Sequence, residues 1–468
     1  MSDLASAPVD PQQELLTQLQ RAEQAGRAGR YGEADGICRD VLKQHPNLPA
    51  AMAMRGTVAA LDGDIEGGIA LLEPAIAAEP SNAVWRSTLC DLYRLVCRLD
   101  DALAVGRAAL ALAPRRALYM VNLGKVFADR LEWDESLAHF LAALSIEPEN
   151  PSAHLGIGQI LLGLGQFRAG WIEYEWRNRL EQAQGRIPKM NAPVWNGMAH
   201  PGGRILLIGD QGYGDTIQFA RYIPLVAARC AEVVLGVSED LKPLLGRVPG
   251  VGRAFHGWAD IPSFTSYCLL SSLPFILGTE LDSIPAASRY LEADPARRDA
   301  WQARLAAVLP AGQRIGMFWS GRPTHPNNKR RSVPLARFLA MAAMPGVAAI
   351  ALQKEMPPED APVLAASGIA DVAAELTDFG ETAALVSQLD LVITVDSALG
   401  HLAGALGIPV WVLTPTPSDW RWLNDRTDSP WYPSLRLFRQ PEPGAWDAVF
   451  ADVSVALAQW MAARRAAE

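Results

Sequence analysis

The sequence predicts a helical solenoid followed by an α/β module with two parallel sheets, and three observations carry that prediction. Prolines fall at Pro46, Pro80, Pro114 and Pro148, each 34 residues after the one before. Small residues keep register with them: Ala34, Gly68, Ala102 and Ser136 lie 12 residues before each proline, and Ala22, Gly56, Cys90 and Gly124 lie 24 before. From Arg204 onward short β-rich apolar runs alternate with helical patterns, an order that calls for parallel strands joined by crossover helices.

Length and composition agree. A chain of 468 residues is enough for about three folded units. Half of its residues are hydrophobic and 20% are charged, so it can bury large cores. Forty-two basic against 51 acidic residues leave a net charge of -9, which argues against non-specific binding of nucleic acid. No apolar run reaches the roughly 18 residues of a membrane span, and the polar start, Met1 to Gln20, lacks the basic region of a signal peptide. A cytoplasmic protein is expected. Five cysteines without a C-x-x-C pair suit neither a zinc cage nor a disulfide framework.

Taken in order, residues 1–12 read as a disordered tail and Gln13 to Asn178 as the repeats, with Gly158 and Gly170 continuing both small-residue columns into a fifth unit that has no closing proline. Small residues in those registers let the two antiparallel helices of a repeat approach closely, and the proline ends the second helix. The pattern resembles the tetratricopeptide repeat. Stacked helix pairs of that kind leave a concave surface, which either holds a partner protein or serves as a spacer or dimerisation arm. Residues 179–203, with Pro188, Pro193, Pro201, Gly202 and Gly203, read as a linker. Strands are expected at Ile205 to Ile208, Val233 to Val237 and Tyr267 to Leu270, then at Ile315 to Trp319, Ala348 to Leu352, Leu389 to Val395 and Val410 to Leu413. The charged helix Asp294 to Val308 divides them into two Rossmann-like lobes, 204–308 and 309–468, with a cleft between. A terminal helix, Trp446 to Arg465, is expected on the outside, crossing back toward the first lobe.

The chemistry falls at strand ends. Gly209, Gly212 and Gly214 open a shelf after the first strand of the first lobe, the usual ligand side of such sheets. Ile217 stands where a dinucleotide fingerprint needs its third glycine, and the P-loop Gly-Lys-Ser/Thr is missing. Asp215 then has two readings: an N-cap paired with Gln218 in a capping box, or a carboxylate that accepts a proton from an acceptor hydroxyl.

In the second lobe, the loop after Trp319 carries His325, Lys329, Arg330 and Arg331, which suit either a pyrophosphate or a solvated basic turn. The run L-D-L-V-I-T-V-D-S-A-L-G-H from Leu389 reads as a buried strand, a cap at Asp396 or Ser397, and a helix. Backbone N–H groups of Ser397, Ala398 and Leu399 would face a phosphate there, with Asp396 turned toward sugar hydroxyls. His401, one turn further on, is either a phosphate donor or a packed side chain. Thr382 reads as a nucleotide contact or a helix cap. The aromatic segments Asp419 to Trp422 and Asp428 to Pro433 suit base or sugar stacking, or core packing.

Four stretches together resemble the heptosyltransferase-like glycosyltransferases of family 9 and bacterial fusions of that module to tetratricopeptide repeats. They are G-Y-G-D-T-I-Q-F-A-R-Y (Gly212 to Tyr222), R-R-S-V-P-L (Arg330 to Leu335), V-D-S-A-L-G-H-L-A-G-A-L-G-I-P-V (Val395 to Val410) and D-S-P-W-Y-P-S-L-R-L-F-R-Q (Asp428 to Gln440). The resemblance implies a GT-B fold and an inverting, metal-independent glycosyltransferase without a cofactor, its nucleotide-sugar donor on the second lobe and its acceptor on the first. It maps the general base onto Asp215, with Gly212, Gly214 and Gln218 beside the acceptor. Donor phosphates map onto Lys329 or Arg331, and the Asp-Ser-x-x-x-His element onto Asp396, Ser397 and His401. Ala398 stands where the family commonly has glycine. The layout is also similar to O-GlcNAc transferases and flagellin glycosyltransferases, which implies a protein acceptor such as flagellin held by the repeats. The competing expectations are a non-catalytic scaffold in a surface-polysaccharide or secretion assembly, and a sugar-nucleotide epimerase, which needs no solenoid.

Overall fold

A computed structural model describes residues 11–259, 261–285, 287–322 and 327–467. The expected tail lies outside these residues except for Pro11 and Gln12, which already begin the first helix. Residue His325 of the basic loop also lies outside them.

Helices pair throughout the first third: α1 (Pro11–Arg27) with α2 (Tyr31–Gln44), α3 (Pro49–Leu61) with α4 (Ile65–Ala78), α5 (Ala83–Leu95) with α6 (Leu99–Leu112), and α7 (Ala117–Asp129) with α8 (Trp133–Ile146). The two small-residue columns are where the partners of a pair touch. A Cβ on Gly56 would lie 2.9 Å from the Gly68 carbonyl oxygen, and one on Gly68 would lie 2.8 Å from that of Gly56. Ser136 is fully buried and donates to the Gly124 carbonyl at 2.6 Å. Each repeat proline sits two residues beyond the end of a second helix, so it breaks no helical hydrogen bond and stops extension.

A fifth pair, α9 (Pro151–Gly163) and α10 (Phe167–Tyr174), completes the periodicity. The chain divides into two compact units between Gly156 and Ile157, within α9, whereas the period runs on to residue 178. The reason is aromatic. Phe167 stacks on Trp431 at 5.8 Å, and Trp171 and Tyr174 meet Trp420 edge-on at 5.3 and 5.5 Å. Such ring pairs add about 0.5–1.5 kcal/mol each beyond area burial. Trp171 Nε1 also donates to the Thr279 carbonyl, and Arg177 donates to Ser271 and Ser272.

The second unit holds two parallel sheets. The first comprises β1 (His200–Ile208), β2 (Cys230–Gly236), β3 (Val251–Phe255) and β4 (Ser266–Leu269) in the order β3-β2-β1-β4. The second comprises β5 (Gln313–Phe318), β6 (Val347–Ala351), β7 (Ala370–Asp371), β8 (Leu391–Val395), β9 (Val410–Thr414) and β10 (Leu435–Arg439) in the order β10-β9-β8-β5-β6-β7. Sequence reading missed β3, β7 and β10. β3 is interrupted by exposed Gly252 and Arg253 and β10 by exposed Arg436, so neither forms a continuous apolar run, and β7 has only two residues. All of these pairs are parallel, as the alternating pattern requires.

The helices of this unit are α11 (Tyr213–Phe219), α12 (Ile223–Ala227), α13 (Lys242–Leu245), α14 (Leu273–Ile276), α15 (Pro295–Val308), α16 (Asn328–Arg331), α17 (Ala336–Ala342), α18 (Asp360–Ser367), α19 (Phe379–Val386), α20 (Ala398–Ala405) and α21 (Trp446–Ala467). Two expectations are corrected here, while the terminal helix lies within the second lobe as bounded at 309–468. The linker joins the first sheet at its end, since the Trp195 N–H donates to the Tyr267 carbonyl at 2.7 Å, the Tyr267 N–H donates to the Pro193 carbonyl at 3.1 Å, and β1 already starts at His200. Helix α15 belongs with the second lobe, where Arg297 pairs with Asp378 and Trp301 donates to Glu381 on α19. Helix α21 stays on the second lobe, because Trp446, Val449, Phe450, Val453, Leu457 and Met461 share a core with Ile315, Phe338 and Leu391.

Candidate functional site

The turn after β1 brings Gly212 and Asp215 to the strand's carboxyl end. Gly212, not Asp215, is the N-cap of α11, and Asp215 is its third residue, with Oδ2 accepting the Gly212 N–H at 3.0 Å. Only half of a capping box exists, one turn earlier than the spacing suggested: Asp215 bonds back to the Gly212 N–H, glycine has no side chain to reciprocate, and Gln218 plays no part. Instead Gln218 is fully buried, and its Oε1 accepts from Arg421 Nε at 2.9 Å. A Cβ on Gly214 would stand 2.7 Å from His401 Cδ2 and 3.5 Å from Ala398 Cα. The glycine therefore permits α11 of one lobe to lie directly against α20 of the other.

Ser397 caps α20. Its Oγ accepts the Leu399 N–H at 3.3 Å and shares a hydrogen bond with Thr394 Oγ1 at 2.9 Å. The Leu399 donor expected to face a phosphate is thus committed to the cap. His401 fits the packed one of its two readings: it is buried, its Nδ1 lies 2.9 Å from the Tyr432 hydroxyl, and its ring stacks on Trp422 at 5.0 Å. Burial, with Arg421 and Arg221 nearby, holds it well below the usual imidazole range, so it is a neutral packing group. Thr382 stands outside the cluster as well. Its hydroxyl donates to the Asp378 carbonyl at 3.0 Å, within the first turn of α19, where Asp378 is the cap.

The basic loop divides its cations. Lys329 is exposed on α16, whereas Arg331 turns inward and its Nη1 donates to the Asp396 carbonyl at 3.1 Å. Gly321 makes room for it, since a Cβ there would lie 2.5 Å from Arg331 Nη2. The buried Arg331 Nε–H has no partner among the described residues. Burial lowers the Arg331 pKa, while Asp396, Asp419 and Asp215 support its charge. Asp396 itself is carried up to about 6 by burial and by Asp419, against the pull of Arg331.

The residue that sequence reasoning missed is Arg421, in the turn between β9 and β10. It is 7% exposed. Its Nη1 donates to Asp419 at 2.7 Å, its Nη2 donates to Asp215, and its guanidinium lies 4.4 Å from the Trp420 ring centre. Burial pushes the Asp215 carboxyl up, Arg421 pulls it down, and Asp419 and Asp210 push it up again, leaving it above the ordinary carboxylate value. The hint in the sequence was a lone arginine between two tryptophans with an acid two residues before it. A second cation, Arg221, also spans the lobes: its Nη1 donates to the Trp431 carbonyl at 2.7 Å, and it lies 4.7 Å from the Tyr432 ring centre. The segments that suited base stacking are therefore core, with Trp422 and Trp431 fully buried.

The site thus joins Asp215 of the first lobe to Arg331, Asp396, Asp419 and Arg421 of the second. Among the described residues no three His, Cys, Asp or Glu side chains converge as metal ligands.

A helical array followed by two parallel sheets, with charged groups meeting at the strand ends, is similar in layout to a tetratricopeptide-repeat region joined to a glycosyltransferase module. Residues 359–426, which include Asp396 and Arg421, match the family described as glycosyltransferase family 9 (heptosyltransferase). The chain is 29% identical over 334 residues to protein FlbA of Caulobacter vibrioides, an alignment that covers 65% of this chain and 54% of that protein. It therefore spans about half the length of that curated relative. Among solved structures, TTC0263, a thermophilic TPR protein of Thermus thermophilus, is 21% identical with a TM-score of 0.33 and covers 36% of this chain and 93% of its own. MamA from Desulfovibrio magneticus RS-1 is 17% identical with a TM-score of 0.32, covering 36% and 97%. The family match supports a glycosyl-transfer role. Among the described residues no helix is long and apolar enough to cross a membrane.

Proposed function

We propose that the chain is an inverting, metal-independent glycosyltransferase that moves a sugar from a nucleotide-sugar donor to an acceptor hydroxyl in the cytoplasm. The acceptor is a Ser or Thr of a protein held by the helical array, with flagellin the first to test. One observation carries this reading: Asp215 of one lobe lies close enough to Arg331 and Arg421 of the other for their charges to interact. An anion-binding cation and a proton acceptor in one cluster are what displacement at an anomeric carbon requires.

In the step, the acceptor oxygen bonds to the anomeric carbon from the face opposite the donor phosphate. Its proton passes to Asp215, and the bond from the anomeric carbon to the phosphate oxygen breaks, its electron pair leaving with the nucleotide. Arg331, through its unpartnered Nε–H, takes the developing phosphate charge, with Lys329 and the start of α20 at Ser397 and Ala398 beside it. Asp396 accepts from hydroxyls of the donor.

The test is incubation with a panel of nucleotide sugars and candidate acceptor proteins, read by mass spectrometry. Asp215→Asn is expected to keep donor binding and to lose transfer by about 10²–10⁴-fold, the usual worth of a general base. Full turnover in that variant reassigns the base. A scaffold without catalysis is favoured by the pairing of Asp215 with Arg421, and it predicts that no nucleotide sugar is hydrolysed or transferred.

A further inference from the structure

We propose that Arg421 is a positioning residue of the transfer step: its buried guanidinium orients the Asp215 carboxylate and keeps it charged. This rests on the assignment of Asp215 as the proton acceptor.

The geometry divides the two arginines of the cluster. All three guanidinium nitrogens of Arg421 are committed, Nε to Gln218, Nη1 to Asp419 and Nη2 to Asp215, with Gln211 at 3.4 Å from Nη2. Arg331 has a buried Nε–H with no partner among the described residues. Arg331 therefore keeps a nitrogen free to donate to a ligand anion, whereas every guanidinium nitrogen of Arg421 already has an acceptor.

Arg421 is itself held from several sides. Asp419 accepts both its backbone N–H, at 3.0 Å, and its side chain. Trp420 covers its face. On the first lobe, Gln211 is itself hydrogen-bonded to the Tyr174 hydroxyl at 3.1 Å. A guanidinium with acceptors on three nitrogens has little freedom to reorient, and the Asp215 oxygen it grips is fixed with it.

The charge follows from the surroundings. Asp215 is faced by Arg421 and the Gly212 N–H directly, by Asp419, Asp210 and the Tyr174 hydroxyl nearby, and by Arg331 across the cluster. Burial and the two neighbouring carboxylates all favour the protonated acid, which cannot accept a proton. Arg421 is the cation in direct contact that opposes them. A lysine would supply the charge without the fork that reaches Gln218, Asp419 and Asp215 together.

The experiment measures initial rates of the full chain with a nucleotide sugar and acceptor across pH, for wild type, Arg421→Gln and Arg421→Lys. A base must be ionised to act, so activity falls on the acid side. In Arg421→Gln that acid limb of kcat/KM is expected to move up by about one pH unit or more, with donor affinity unchanged by calorimetry, and Arg421→Lys is expected to lie between. A rate lowered equally at every pH, with the limb unmoved, overturns the proposal and leaves Arg421 as packing.

A second readout needs no turnover. The Asp215 carboxyl carbon, identified by its loss in Asp215→Asn, is titrated by carbon-13 NMR in wild type and in Arg421→Lys. A higher midpoint in the lysine variant supports the proposal, and equal midpoints overturn it, whether or not Arg421→Gln folds. A wild-type chain that turns over no nucleotide sugar refutes the transferase reading, while this titration still decides whether Arg421 sets the charge of Asp215.

Discussion

Asp396→Asn should make the second unit more stable at neutral pH and leave it little changed in acid. Asp396 follows β8 directly, and burial with Asp419 nearby carries its carboxyl from the ordinary 3.8 to about 6. The folded chain therefore binds this proton more tightly than the unfolded chain does. The burial cost is absent below the unfolded value, appears as pH rises through the folded one, and is complete above about pH 7. At about 1.4 kcal/mol per pKa unit the ionised group lowers stability by about 3 kcal/mol. Asparagine keeps the shape and removes the titration. The assay is urea unfolding of the full chain at intervals from pH 4 to pH 8, followed by tryptophan emission, to which the neighbouring Trp420 and Trp422 contribute. The midpoint difference between variant and wild type should widen from acid to neutral pH and then level off. A constant difference over that range would refute the argument that Asp396 is desolvated, and a variant that loses ground as pH rises would mean that Arg331 more than compensates the charge.

Arg331→Ala should weaken donor binding by about 10- to 100-fold, the worth of a charge-assisted hydrogen bond, and unchanged affinity by calorimetry removes it from the donor site. Gly321→Ala should act in the same direction, because its Cβ would displace the Arg331 guanidinium and the Asn328 side chain; donor affinity equal to wild type would show that Arg331 keeps its place. Gly214→Ala forces a methyl against a His401 ring already held by Trp422 and Tyr432, and should cost about 1–3 kcal/mol of stability in the second unit, read by thermal unfolding. Phe140 is buried in the helical array against Gly124 and Gly156, so Phe140→Ala should cost about 3–5 kcal/mol there while leaving nucleotide-sugar binding intact. A parallel loss of donor binding would contradict the separation into two units.

Particular residues mark where sequence reading succeeded and where it did not. The paired approach of Gly56 and Gly68, and of Gly124 and Ser136, follows from columns visible in the sequence, because a helix repeats every 3.6 residues and a repeat must present the same small residue to the same neighbour. β8 was legible as a run of apolar residues broken only by Thr394, since a central parallel strand is covered on both faces. A cap at Asp396 or Ser397 was legible from local side-chain chemistry, and the fold chose Ser397. The N-cap of α11 was displaced from Asp215 to Gly212 because a glycine with extended backbone serves that position as well as an acid, and local preference could not choose between them.

The solenoid, the two parallel sheets and the places where strands end were thus written in periodicities a few to a few dozen residues long. Only the tertiary structure decided that Arg421 meets Asp215 and Gln218 from about 200 positions away, that His401 is enclosed while Arg331 keeps a donor to spare, and that the second half of α9 and all of α10 join the α/β unit. Backbone hydrogen bonding and hydrophobic period act between near neighbours and leave their mark along the chain. Charge pairing and burial depend on which surfaces the finished fold presses together, and that is a property of distance in space.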